Sequence, residues 1–196
     1  LYGTTSRQLA EIAVSTRDNA VLNGNAIMTK PLTIEEHQAS RMISDPLRLC
    51  DCSLESDGGA AIVVSAADRA KDLRKPPVYV WGMGQGHPGG DVAESLASGA
   101  PLAKRTAFRM AGIEARDVDL CELYDCYTFT VLVTLEDYGF CAKGEGGPFA
   151  AAGHTAPGGS LPVNTGGGQL SSFYMWGMTP IAEAVVQARG EAGERQ

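Results

Sequence analysis

A chain of 196 residues, 44% hydrophobic and 20% charged, has the makeup of an ordinary soluble globular protein, with room for one substantial core or two small ones. Its net charge of −7 comes without a basic stripe to neutralise phosphates, so nucleic-acid binding is not expected, and no apolar run approaches the roughly 20 residues of a membrane span. The first residues lack the basic segment and apolar core of a signal peptide, which makes a cytoplasmic location the expectation.

In residues 6–23, Leu9, Ile12, Ala13, Val14, Ala20 and Val21 fall near helical spacing. They predict a helix capped by Thr4, Thr5 or Ser6 and closed at Asn23-Gly24-Asn25. Thr33 with Glu36 three residues later spells a capping box, so a short second helix should follow and end before Pro46. The β-branched run at residues 60–65 predicts a buried strand, and residues 66–73 a short helix. Arg74-Lys75-Pro76-Pro77 reads as a linker, the expected boundary between a unit at 1–75 and another at 76–196.

Residues 78–83 predict a strand running into a glycine loop, where Gly84, Gly86 and Gly89 match the Gly-x-Gly-x-x-Gly spelling of a dinucleotide site. Pro88 and Gly89-Gly90 delay any helix there, and no acidic strand end follows on schedule, so a plain strand-to-loop turn is expected instead. Residues 101–112 predict an amphipathic helix, 118–123 a strand and 128–136 a second helix. Tyr124 to Tyr127 thus stand at a strand-to-helix junction, where α/β proteins place chemistry. Residues 142–168, with Pro148, Pro157 and Pro162, predict a long glycine-rich loop. Residues 179–189 predict a final helix with Pro180 in its first turn, and the polar tail after it is expected to fray.

Five cysteines, Cys50, Cys52, Cys121, Cys126 and Cys141, are an odd number in apolar surroundings and are expected as reduced thiols. Cys50 and Cys52 have no second cysteine or histidine pair at zinc-site spacing, so no metal site is expected. Cys126 has no base histidine near it in sequence, which argues against a nucleophile. His87 and His154 read as loop histidines and His37 as part of a solvated helix face.

Six motifs then occur in one order: Tyr2-Gly3; Ser44-Asp45-Pro46-Leu47; Cys52-Ser53 with Ser56-Asp57-Gly58-Gly59-Ala60-Ala61; Cys121-Glu122-Leu123-Tyr124-Asp125-Cys126-Tyr127; Gly144-Glu145-Gly146-Gly147-Pro148-Phe149; and Leu161-Pro162-Val163-Asn164-Thr165 with Gly167-Gly168. Together they resemble thiolases of the sterol-carrier or lipid-transfer type. The resemblance implies an α/β fold, the layered αβαβα thiolase fold, in an incomplete subunit that lacks most of the N-terminal half and the last strands. Residues 1–75 would be the tail of the N-terminal half and 76–196 a truncated C-terminal half.

The resemblance also marks two departures. Where such thiolases carry a histidine, this sequence has Tyr124, and where they carry Gly-His-Pro it has Phe173-Tyr174-Met175. A phenol with an ordinary pKa near 10 is a poor base at neutral pH, which argues against Claisen chemistry on a cysteine. The double replacement is similar to the steroid side-chain aldolases of the superfamily. It implies retro-aldol cleavage of a bulky β-hydroxyacyl-CoA to a ketone plus a short acyl-CoA such as propionyl-CoA, with Tyr124 and Tyr174 sharing the acid and base roles.

No cofactor is implied beyond coenzyme A within the substrate thioester. A homodimer of the complete subunit and a small OB-fold, zinc-ribbon partner protein are implied. Asn164 and Gly166, Gly167 and Gly168 would form a thioester-binding loop, and Phe173, Met175 and Trp176 an apolar wall for the acyl group. Simpler readings stand beside these: Tyr124 as a structural tyrosine, Phe173 to Trp176 as core, and the three glycines as a flexible turn. A true thiolase or acetyl-CoA acyltransferase, or a non-catalytic lipid-transfer or acyl-CoA-binding module, are the alternative functions.

Overall fold

The computed structural model describes residues 2–87 and 97–196. The long helix α1, Ser6–Asn23, lies at its centre. Thr5 accepts the Gln8 N–H while the Gln8 side chain accepts the Thr5 N–H, and Gly24 ends the helix at φ 64°, a left-handed turn that glycine makes without a steric cost. Leu9, Ile12, Ala13, Thr16, Asn19 and Ala20 share the buried face. α2, Ile34–Ala39, opens on the predicted Thr33–Glu36 capping box and leads to a hairpin of β1, Met42–Ser44, and β2, Leu47–Arg48.

The remaining helices are α3, Ala67–Ala70; α4, Ala100–Ala111; α5, Thr128–Asp137; α6, Gly146–Ala151; and α7, Met178–Ala188. α1 packs against α2, α5, α6 and a π-helical turn at Gly168–Ser172. The shared core joins Leu9 and Ile12 of α1 to Val131, Leu132 and Leu135 of α5, with Cys121, Ala150, Leu161, Val163 and Leu170. Each such fully buried aliphatic side chain contributes about 1.5–3 kcal/mol through removal from water.

Several expectations give way. Residues 60–65 and 78–83 form no strand: Val63 and Val64 are 89% and 84% exposed, and among the described residues neither run pairs with another. A β-branched run supplies propensity, but pairing needs a neighbouring edge. Residues 118–123 keep a single bridge, Cys121 to Val163. Gly82, Gly84 and Gly86 lie against α4, where a Cβ on any of them would overlap the carbonyl of Ala107, Ala103 or Gly99. That spelling therefore serves backbone approach to a helix; Pro88 and Gly89 lie outside the described residues.

The expected loop at 142–168 contains α6, and the helix expected at 66–73 shortens to α3. His37 is buried rather than solvated: its Nε2 lies 2.9 Å from Asp51 Oδ1, and the Thr128 hydroxyl donates to the same oxygen at 2.7 Å. The tail does not fray. Arg195 pairs with Glu183, and the Gln196 amide donates to the Gln187 carbonyl at 2.9 Å. The five cysteines are free thiols. At residues 74–77, Lys75 pairs with Glu191 at 2.6 Å and the Pro76 carbonyl accepts from Arg189.

Candidate active site

Two segments fifty residues apart meet beside the end of α1. The first is pinned by Cys121, whose N–H donates to Pro162 O and whose carbonyl accepts from Asn164 N, each at 2.9 Å. Asn164 sits at φ 53° and accepts the Leu123 N–H on Oδ1 at 2.7 Å, so it braces both segments at once. Polar groups of α1 hold the second: Asn19 donates to Val163 O at 3.1 Å, Asn23 to Gly166 O at 2.8 Å, and Arg17 to the Ser171 hydroxyl at 2.8 Å. Buried carbonyls demand donors, and these side chains supply them.

Beyond the π-helical turn the chain reaches Tyr174, whose N–H donates to Ser56 Oγ at 2.9 Å. The Tyr124 and Tyr174 hydroxyl oxygens are 2.6 Å apart, a short hydrogen bond, with ring centroids 6.2 Å apart and planes tilted by 55°. Trp176 stacks on Tyr174 with ring centroids 6.0 Å apart. Burial, followed by the hydrogen bond to Tyr174 and the nearby Cys126 and Asp125, holds the Tyr124 phenol well above its ordinary value.

Two acids stand next to Tyr124 in the same segment, Glu122 and Asp125. Asp125 is fully buried, and burial pushes its carboxyl up to about 6 against the opposing N–H groups of Gln169 and Leu170. Burial likewise pushes Glu122 up to about 8, although Thr165 donates to it through both N–H and hydroxyl. The same Thr165 hydroxyl lies 3.0 Å from Glu183 Oε1. One hydroxyl proton serves two carboxyl oxygens here, which is consistent with a protonated Glu122 at neutral pH. Cys121 is pushed up to about 12 by burial, so it is no nucleophile.

The three glycines are all buried and each meets protein. A Cβ on Gly166 would approach Glu183 Oε2 to 2.8 Å, one on Gly167, at φ 95°, would come within 2.6 Å of Ala20 Cβ, and one on Gly168 would overlap Asp125. These glycines thus have an internal reason that the sequence did not reveal. Phe173 and Met175 are half-buried, while Trp176 is 71% exposed at φ 53°. None of the three lines the apolar cavity of about 630 Å³ beside Tyr124, which is walled by Tyr2, Phe129, Leu132 and Val133.

Cys126 lies near Thr130, and the hydrogen bonds of the histidines go elsewhere: His37 to Asp51 and Gln38, His87 to Gln85, His154 to Ser160. Among the described residues no cluster of three or more His, Cys, Asp or Glu is placed to hold a metal, and no helix is long and apolar enough to cross a membrane. Asp125, Glu122, Asn19 and Asn23 were not singled out from sequence. The available signal was a polar residue on the otherwise apolar face of α1, and a carboxylate directly after Tyr124.

Residues 87–196 match the family model described as thiolase C-terminal domain-like. The chain belongs to the thiolase family, and its α/β fold is the thiolase fold. It is 43% identical to a steroid side-chain-cleaving aldolase of Thermomonospora curvata, over 96% of this chain and 51% of that protein. It is 44% identical to the 17-hydroxy-3-oxo-4-pregnene-20-carboxyl-CoA lyase of Mycobacterium tuberculosis, over 97% of this chain and 52% of the other.

An acetyl-CoA acetyltransferase of Methanothermobacter thermautotrophicus is 41% identical over all of this chain and 53% of its own length. Among solved structures, an Ltp2-ChsH2(DUF35) aldolase superposes with a TM-score of 0.93 at 40% identity, covering 99% of this chain and 53% of that one. The chain therefore spans about half the length of the relatives it matches.

Proposed function

We propose that the protein is a retro-aldol lyase acting on a bulky β-hydroxyacyl-CoA of steroid side-chain type. The observation that carries this reading is the 2.6 Å contact between the Tyr124 and Tyr174 hydroxyls, at the two positions where the resemblance places histidines. One phenolic oxygen takes the proton of the substrate β-hydroxyl as it passes its own proton along the hydrogen bond to the other phenol, so no free phenolate is needed. The Cα–Cβ bond breaks, the carbonyl of the released ketone forms, and the electron pair moves onto the thioester as an enolate. The second phenol protonates the α-carbon to give the short acyl-CoA. The proton gained by one oxygen equals the proton given by the other, and the hydrogen bond between them lets it pass, so the cycle closes without an oxidant, a metal or a covalent enzyme intermediate.

The relatives named as an aldolase and a lyase support this reading, while the acetyltransferase relative keeps cysteine-based thioester chemistry as the rival. The two-component name of the solved neighbour supports a partner protein, for which the OB-fold, zinc-ribbon type remains our proposal, along with a homodimer and a cytoplasmic location. The test is to give the complete protein, with that partner, a β-hydroxyacyl-CoA bearing a polycyclic acyl group, before and after iodoacetamide. Release of ketone and short acyl-CoA that survives alkylation is expected. Abolition by alkylation, together with acyl transfer to free coenzyme A, would instead favour the thiolase.

A further inference from the structure

Asp125 directly follows Tyr124, yet its side chain is fully buried and reaches the other tyrosine segment. Oδ1 accepts the Gln169 N–H at 2.8 Å and Oδ2 the Leu170 N–H at 3.2 Å, at the π-helical turn that leads on to Tyr174. We propose that Asp125 is the positioning residue of the tyrosine pair: its carboxylate clamps the segment bearing Tyr124 to the turn that leads to Tyr174 and fixes the separation of their hydroxyls. This rests on the pair being the reacting groups, as proposed above.

Three observations set the clamp apart from a generic buried acid. Among the described residues no lysine or arginine pairs with Asp125, and the ion pairs involve other acids. The carboxylate is therefore compensated by backbone N–H groups, and both of its oxygens are engaged. An asparagine offers one acceptor oxygen and would turn an N–H₂ toward a backbone N–H, so only a carboxylate satisfies both donors. The space is also closed on the turn side, because a Cβ on Gly168 would overlap Oδ2, and Gly168 is held at φ 53°. On the outside, the segment at 53–56 bridges the same two strands of chain: Ser53 N–H donates to Cys126 O at 3.0 Å, Leu54 N–H to Gln169 O at 3.1 Å, and Ser56 Oγ accepts from Tyr174. The pair is thus gripped from two sides, and Asp125 is the side chain that ties the residue after Tyr124 directly to the turn leading to Tyr174.

The experiment uses the complete protein carrying ζ-¹³C-tyrosine, with the Tyr124 and Tyr174 resonances assigned from their phenylalanine variants, and compares wild type with Asp125→Asn and Gly168→Ala. Both variants should shift the two tyrosine resonances in the absence of substrate. Both should lower kcat by about tenfold or more while KM stays within about threefold, the pattern of lost alignment rather than lost binding. Gly168→Ala disturbs the carboxylate without removing it, so it serves if Asp125→Asn does not fold. Unmoved tyrosine resonances and near-wild-type kcat in a folded variant would overturn the clamp. If the resonances move but wild type cleaves no β-hydroxyacyl-CoA, the clamp stands and the lyase reading falls.

Discussion

The segment at 118–123, which leads to Tyr124, and the runs at 60–65 and 78–83 all read as strands in sequence, yet they end in opposite conditions. Around Tyr124 the backbone is tied by Pro162, Asn164 and Asp125, whereas Val63, Val64, Val80 and Trp81 face solvent. Strand propensity is common to both. What differs is whether polar groups from elsewhere in the chain meet the exposed N–H and C=O groups. The tyrosine site is built where α1 supplies Asn19, Asn23 and Arg17 to do so.

That contrast can be broken at its most crowded point first. Gly167→Ala puts a methyl against Ala20 at a φ that disfavours any L side chain, and should cost about 2–4 kcal/mol in urea unfolding of the complete protein. Asn19→Ala strands the Val163 carbonyl in the core and should cost about 1–3 kcal/mol by the same measurement.

Next comes pH. Glu122 and Asp125 both have folded values raised above their unfolded ones, so the native state holds protons that the unfolded chain releases. Their contribution is complete below about 4 and is lost as pH rises, through about 6 for Asp125 and about 8 for Glu122. The melting temperature should therefore fall by a few degrees between mildly acidic and mildly alkaline buffer, and Glu122→Gln should flatten the upper part of that decline. The smallest effect belongs to the exposed run: Val63→Ser should change the stability of the isolated 196-residue chain by less than about 0.5 kcal/mol. A larger loss would mean that this run is buried after all.

Local rules were legible. Thr33 with Glu36, Gly24 after α1 and Pro180 in the first turn of α7 follow from chemistry within a few residues, and each stands where the sequence placed it. The meeting of Tyr124 with Tyr174 was not readable from spacing, because nothing local links positions fifty residues apart; the family resemblance supplied it. Burial of polar groups was the hardest to read. His37 looked solvated beside Glu35 and Glu36, but its partners, Asp51 and Thr128, come from other elements. Asp125 and Glu122 were assigned no role for the same reason, and the glycines at 166–168, read as a thioester-binding loop or a flexible turn, are places where α7, α1 and Asp125 come close.

The central claim is that two phenols, rather than a cysteine, carry the chemistry. Its most direct measurement is the single-turnover rate of ketone release from a polycyclic β-hydroxyacyl-CoA by the complete protein and by its Tyr124→Phe and Tyr174→Phe variants. Each variant removes one hydroxyl and leaves the ring, so the account predicts a loss of at least about a hundredfold in both, with the fold intact by circular dichroism. Cleavage at the wild-type rate in both variants would contradict it.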